Sequence, residues 1–201
     1  MKLIVLLFVI AATACQAQVG INNIADHPVI TDSDKKLFNV YELLDGTWKG
    51  VFLVKQDESP KKRPENLQDP EVMLEFIETA KTINTIHVTQ VYASESPYFQ
   101  KVSITDFYPD SGKTVESNGV NKVQAGKMWC VVHKPDETVI HAGSAPNKET
   151  IIWQSNLPKR IEYFHETVSK DFYEIIGYGY YNDDDTSKSP LLWFYGKYER
   201  Q

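Results

Sequence analysis

Cysteine is nearly absent: Cys15 and Cys130 are the only two in 201 residues. A framework of several disulfides is therefore excluded, and stability must come from a hydrophobic core. Long apolar runs are also scarce. After Leu3 to Ala12 no stretch approaches the length of a membrane-spanning helix, so the body of the chain reads as soluble. Basic charge is in the minority, with 21 Lys and Arg against 27 Asp and Glu and a net charge of −6. Such a balance argues against nucleic acid or an anionic membrane face as partner.

Catalytic templates are missing as well. The five His form no pair at helical metal spacing, and His133 and His141 fall on separate strands, so no metal site is expected. Asp183-Asp184-Asp185 lacks the Gly and distal Glu of a calcium loop and reads as a solvated turn. Gly112-Lys113-Thr114 looks like the end of a P-loop, but Phe107 stands where the first Gly is required. There is no Gly-x-Ser-x-Gly elbow. His165 and Glu166 are neighbours on a strand and point to opposite faces, so they form no direct dyad. No cofactor is implied.

What the chain does have begins at its start. Lys2, the apolar run Leu3 to Ala12 and the small residues before Cys15 form an export signal over residues 1–17. Ala12-Thr13-Ala14-Cys15 resembles a bacterial lipobox, which implies a lipidated Cys15 and a cell-envelope lipoprotein held to the membrane by its lipid anchor only. A cut after Ala17 is the alternative and gives a soluble periplasmic or secreted protein. Removing Lys2 with the signal leaves a net charge near −7. Cys130 lies in the apolar Met128-Trp129-Cys130-Val131-Val132 and reads as an inert buried thiol.

Residues 18–30 lack periodicity and read as a tether, and residues 31–201 as a single β-barrel domain. Leu37, Val40, Tyr41 and Leu44 are spaced for one face of a short helix capped by Asp32 or Ser33. Gln56 to Pro70 is polar, Pro-containing and loop-like. Glu71 to Ala80 fits either a strand or a helix. Segments rich in β-branched and aromatic residues then follow with turn chemistry between them. Asn118-Gly119 is the strongest hairpin cue, a type I′ turn between Thr114-Val115-Glu116 and Val120-Asn121-Lys122. About ten short antiparallel strands must hide their edges, and closure into a barrel does so. The fold class is all-β.

Leu43-Leu44-Asp45-Gly46-Thr47-Trp48 resembles the Gly-x-Trp opening of lipocalins. The resemblance implies a lipocalin-like barrel of about ten strands with a short N-terminal helix. It further implies that Trp48 plugs the barrel base and that Arg200 packs over it. Gln90 with Pro97-Tyr98-Phe99-Gln100-Lys101 is similar to segments of the CpcT/CpeT-type chromophore lyases, also calyx-shaped barrels. Thr89 and Phe99 depart from that pattern, where Glu and Arg are expected.

Strand parity assigns an interior. Over Arg160 to Val168, Arg160, Glu162 and Glu166 share one face and are expected in solvent, which turns Tyr163 and His165 inward. Lys101, Ser103 and Thr105 place Tyr98 and Gln100 inside; Gln90 and Tyr92 oppose His87 and Thr89. Lys197 and Glu199 place Phe194, Gly196 and Tyr198 inside. Gln90, Tyr92, Tyr98, Gln100, Tyr163, His165 and Tyr198 are therefore the candidate contacts for a small amphipathic molecule. The reading is an exported binding protein. An enzyme of lyase or isomerase type using His165, and an envelope interaction protein with a filled barrel, are the alternatives.

Overall fold

Residues 19–201 are described in the computed structural model; the signal and Cys15 lie outside them. Ten strands alternate up and down and close on themselves: β1 (Gly46–Gln56), β2 (Lys81–Ser96), β3 (Phe99–Tyr108), β4 (Lys113–Gln124), β5 (Lys127–His133), β6 (Thr138–Asn147), β7 (Thr150–Leu157), β8 (Arg160–Val168), β9 (Phe172–Tyr181) and β10 (Leu192–Arg200). Every neighbouring pair is antiparallel, and all are sequential except the closing pair, where β1 meets β10 with Trp48 opposite Arg200. Closure leaves no free edge to template aggregation. One helix, α1 (Pro70–Thr79), lies in the crossing between β1 and β2.

The chain enters at one end of the barrel and seals it. The expected short helix is instead two 3-10 turns, Asp34–Leu37 and Glu42–Leu44. Asn39 separates them with φ of 55°, and its N–H donates to the Pro97 carbonyl at 3.1 Å, so a continuous helix is broken there. The spacing of Tyr41 and Leu44 still serves its purpose: both are buried in the barrel base. Gly46 follows with φ of 121°, and a Cβ there would meet Arg200 Nη1 at 2.8 Å. Only glycine satisfies both constraints.

The Asn118-Gly119 turn does not form. Both residues sit in mid-β4, Gly119 between Val102 and Val132. A Cβ on Gly119 would come within 2.2 Å of the Val131 carbonyl, so this glycine permits close strand approach and not a turn. The tight turn lies further on, at Ala125 and Gly126, both at positive φ (55° and 72°) as a type I′ turn requires.

The ambiguous Glu71–Ala80 segment is α1. Asp69 caps it by accepting from Glu71 N at 3.0 Å, and Pro70 opens the first turn. Its buried Met73 and Ile77 pack on the outside of the barrel, against Tyr163, Tyr178 and Trp193. Phe76 stacks on Trp193 at 4.7 Å. The wall at β8 to β10 is thus apolar on its outer face.

Residues 19–30 lie along the outer wall. Lys122 Nζ donates to the Asn23 carbonyl at 2.7 Å, His27 stacks on Phe99 at 4.0 Å, and Ile21 and Ile24 pack on the cluster of Phe99, Val120 and Val131.

Candidate functional site

The barrel is filled at its base and hollow above it. At the base, Trp48 is fully buried and its indole N–H donates to the Leu44 carbonyl at 2.7 Å. The Arg200 guanidinium covers the ring at 4.4 Å and donates to the carbonyls of Leu43 (2.8 Å), Lys170 (2.6 Å) and Asp45. Gln100 completes this seal. Its Nε2 donates to the Tyr41 carbonyl and to Asp45 Oδ1, both at 2.9 Å.

Above the seal is a cavity of about 200 Å³ that reaches the rim at Lys134 and Val139. Its wall is mostly apolar: Phe52 from β1, Val102 and Ile104 from β3, Cys130 and Val132 from β5, Trp153 from β7, Phe164 from β8 and Ile175 from β9. The polar groups are Gln90 and Tyr92 from β2, Asn121 from β4, His141 from β6, Glu166 from β8 and Tyr173 from β9. Tyr92 Oη donates to Gln90 Oε1 at 2.5 Å and lies 3.4 Å from the Tyr173 hydroxyl.

The facing expected of β8 is reversed. Phe164 and Glu166 line the cavity, and Glu162 is buried beside His141 of β6. Tyr163 and His165 are on the outside. Tyr163 is buried there, stacked on Tyr178 at 5.5 Å in the cluster beneath α1. His165 is half-buried outside, opposite Ile176, and burial lowers its pKa. The parity rule failed for a physical reason. It assumes that the outer face meets water, but α1 covers that face, and the inner carboxylates have partners or a cavity.

The other candidates divide. Gln90 and Tyr92 are cavity residues; Gln100 is in the base seal, one layer below. Tyr98 lies just before β3, with its ring edge-on to Phe38 at 6.0 Å, and Tyr198 is buried against Tyr173 at 5.1 Å. Neither lines the cavity. Among the residues that sequence reasoning missed are Asn121, His141, Phe164, Glu166 and Tyr173. Asn121 was hidden by the false hairpin. Glu166 was hidden by its charge.

Electrostatics single out Glu166. Burial pushes its carboxyl from 4.5 up to about 7, against the opposing influence of the adjacent Trp153 indole and Tyr173 hydroxyl. Its Oε2 has no hydrogen-bond partner among the described residues. The same burial, with the Glu166 charge nearby, raises the hydroxyls of Tyr92, Tyr173 and Tyr198 and pushes the Cys130 thiol up to about 12. Cys130 is therefore not a nucleophile at neutral pH.

A second carboxylate behaves in the opposite way. Glu162 accepts from Tyr181 Oη at 2.6 Å and pairs with His141 Nε2 at 2.9 Å. Burial pushes it up, but these hydrogen bonds and the Arg160 charge outweigh that and hold it below its usual range. No group of three or more His, Cys, Asp or Glu among the described residues is placed to hold a metal ion.

No protein-family model matches the chain, and no curated protein matches it. Among solved structures it is similar to Rv2717c from M. tuberculosis, at 13% identity and a TM-score of 0.51, covering 86% of this chain and 99% of that one. The two share the barrel fold. A de novo designed fluorescence-activating β-barrel matches at 12% identity and a TM-score of 0.37, covering 81% of this chain and 98% of that one. The EF1p2_mFAP2b structure bound to DFHBI matches at 14% identity and a TM-score of 0.35, covering 82% and 99%.

Proposed function

We propose that the protein is an exported binding module whose barrel interior holds one small, partly apolar molecule. The observation that carries this reading is the cavity of about 200 Å³ above a sealed base, walled by Phe52, Trp153 and Phe164 and containing a buried carboxyl at Glu166. Binding sites have this character: an apolar wall that supplies affinity and a few polar groups that fix orientation. A cavity near 150 Å³ already accepts benzene, so this one is sized for a body of one or two rings. The lipobox-like Ala12-Thr13-Ala14-Cys15 supports tethering by a lipid on Cys15, with the barrel held at the surface of an envelope membrane.

Native mass spectrometry of the protein purified from its own envelope tests the reading. One small molecule retained per barrel is the expected result. Protein that always emerges at its bare mass, from cells and after incubation with small aromatic compounds, would defeat it.

A lyase or isomerase is the second reading, favoured by one observation: the His141–Glu162 pair at 2.9 Å on the cavity side of the wall. A carboxylate that fixes an imidazole beside a cavity is the arrangement of a general base. His141 takes the role that strand parity assigns to His165. Conversion of the retained molecule by the wild type, lost in His141→Gln with binding intact, would favour this reading over simple binding.

A further inference from the structure

The buried polar atoms of the cavity wall that have no partner among the described residues, Asn121 Oδ1 and Glu166 Oε2, are both acceptors. This follows from the side-chain amide network at the base. Gln100 Nε2 donates to the Tyr41 carbonyl, and a carbonyl only accepts. Gln100 therefore turns Oε1 to Asn121, and Asn121 must answer with its Nδ2, at 2.9 Å. That leaves Asn121 Oδ1 with no partner among the described residues, in a side chain only 2% exposed that lines the cavity. Glu166 Oε2 is the other buried acceptor without a partner in this wall. Of the donors nearby, Tyr92 Oη is engaged on Gln90 and His141 Nε2 on Glu162, while the Trp153 indole and the Tyr173 hydroxyl lie beside Glu166 and still leave its Oε2 without a partner.

We propose, resting on the binding reading above, that the ligand is a small organic cation, an arylalkyl amine whose ammonium is taken by Glu166 and Asn121. An ammonium group carries donors and no acceptor, and so matches two buried acceptors that have no partner. It also supplies the charge that a buried carboxylate needs, because an unpaired ion in a low-dielectric site is costly. The ring of the amine lies among Phe52, Trp153 and Phe164, and aromatic faces near the head group add cation–π attraction. An anionic ligand meets repulsion from Glu166. A purely apolar one leaves both acceptors dry and unpaired. Lys134 is the one lysine in the wall and follows directly on the end of β5.

The test compares three soluble probes of similar size on wild-type protein by titration calorimetry: 2-phenylethylamine, 2-phenylethanol and 3-phenylpropionate. The amine is expected to bind about tenfold or more tighter than the alcohol, and the carboxylate weakest. Glu166→Gln removes the charge and keeps the shape, so the amine's advantage should fall to about threefold or less while the alcohol still binds. Equal binding of amine and alcohol by the wild type overturns the cation and leaves the binding reading standing. An amine preference that survives in a folded Glu166→Gln also overturns it. Failure of all three probes, with nothing retained in native mass spectrometry, overturns both readings; a retained molecule without a basic nitrogen overturns the cation alone.

Discussion

Arg200 lies over Trp48, its guanidinium carbon 4.4 Å from the ring centroid, and the two residues are also partners across the β1–β10 seam. The last strand thereby locks onto the first at the point where the barrel must close. The same guanidinium caps the Leu43 and Asp45 carbonyls of the entering chain. Arg200→Ala should cost about 1–3 kcal/mol, combining a cation–π contact with charge-assisted hydrogen bonds. Denaturant unfolding measures this directly. The loss should be in stability and not in ligand affinity, because the seal lies below the cavity.

Glu166 makes stability depend on pH with a definite sign. Its pKa is 4.5 in a solvated chain and about 7 in the fold. Between these values the folded state binds more protons than the unfolded state, so stability falls as pH rises from about 4.5 to about 7 and then levels. At 1.36 kcal/mol per unit the full penalty is about 3 kcal/mol. Glu166→Gln should therefore match the wild type near pH 4 and be the more stable protein at pH 8, by up to about 3 kcal/mol. Urea unfolding at the two pH values checks the difference. An equal gain at both would mean that packing, not ionisation, separates the two proteins.

His165 is outside the barrel, so His165→Ala should leave ligand affinity within about twofold. Phe164, its neighbour, is inside. Phe164→Ala removes aromatic surface from the cavity wall, with a cost in stability of about 3 kcal/mol or more, and should change affinity clearly. A titration of both variants against the same probe distinguishes the two facings, because a one-residue slip exchanges them completely.

The proposed lipid anchor is tested at Cys15. Cys15→Ser should move the protein from the membrane fraction to the soluble fraction, and the mature wild-type N-terminus should carry lipid by mass spectrometry. An unmodified N-terminus at Gln18 would instead match the cut after Ala17.

Much of the barrel was legible because strand periodicity is local. Arg160–Val168 has the ends expected of it, and Trp48 with Arg200 followed from a six-residue opening and a distant arginine. What failed was information carried by a neighbour. Asn118-Gly119 has turn composition, but Val131 passes so close that only glycine fits in the strand. Glu162 and Glu166 look solvent-facing until His141, Tyr181 and the cavity are placed beside them. A usable signal lay in Gly177-Tyr178-Gly179-Tyr180. One face of that four-residue segment is glycine, and a Cβ on Gly177 would meet Phe164 at 2.7 Å, so Phe164 must share the inner face. The two tyrosines then belong under α1. The facing of β8 is thus written in β9, its neighbour, more clearly than in its own residues.

In the proposed function the hollow part of the barrel is the ligand site. Cys130 lines that cavity, and its thiol is inert, so its side chain can be enlarged without removing chemistry. Cys130→Phe should occupy the space at a cost of about 1–3 kcal/mol in stability. Native mass spectrometry of wild type and Cys130→Phe, expressed and purified side by side, is the measurement. A small molecule retained by the wild type and absent from a folded Cys130→Phe is the expected result; the same molecule retained by both would place the site outside the cavity.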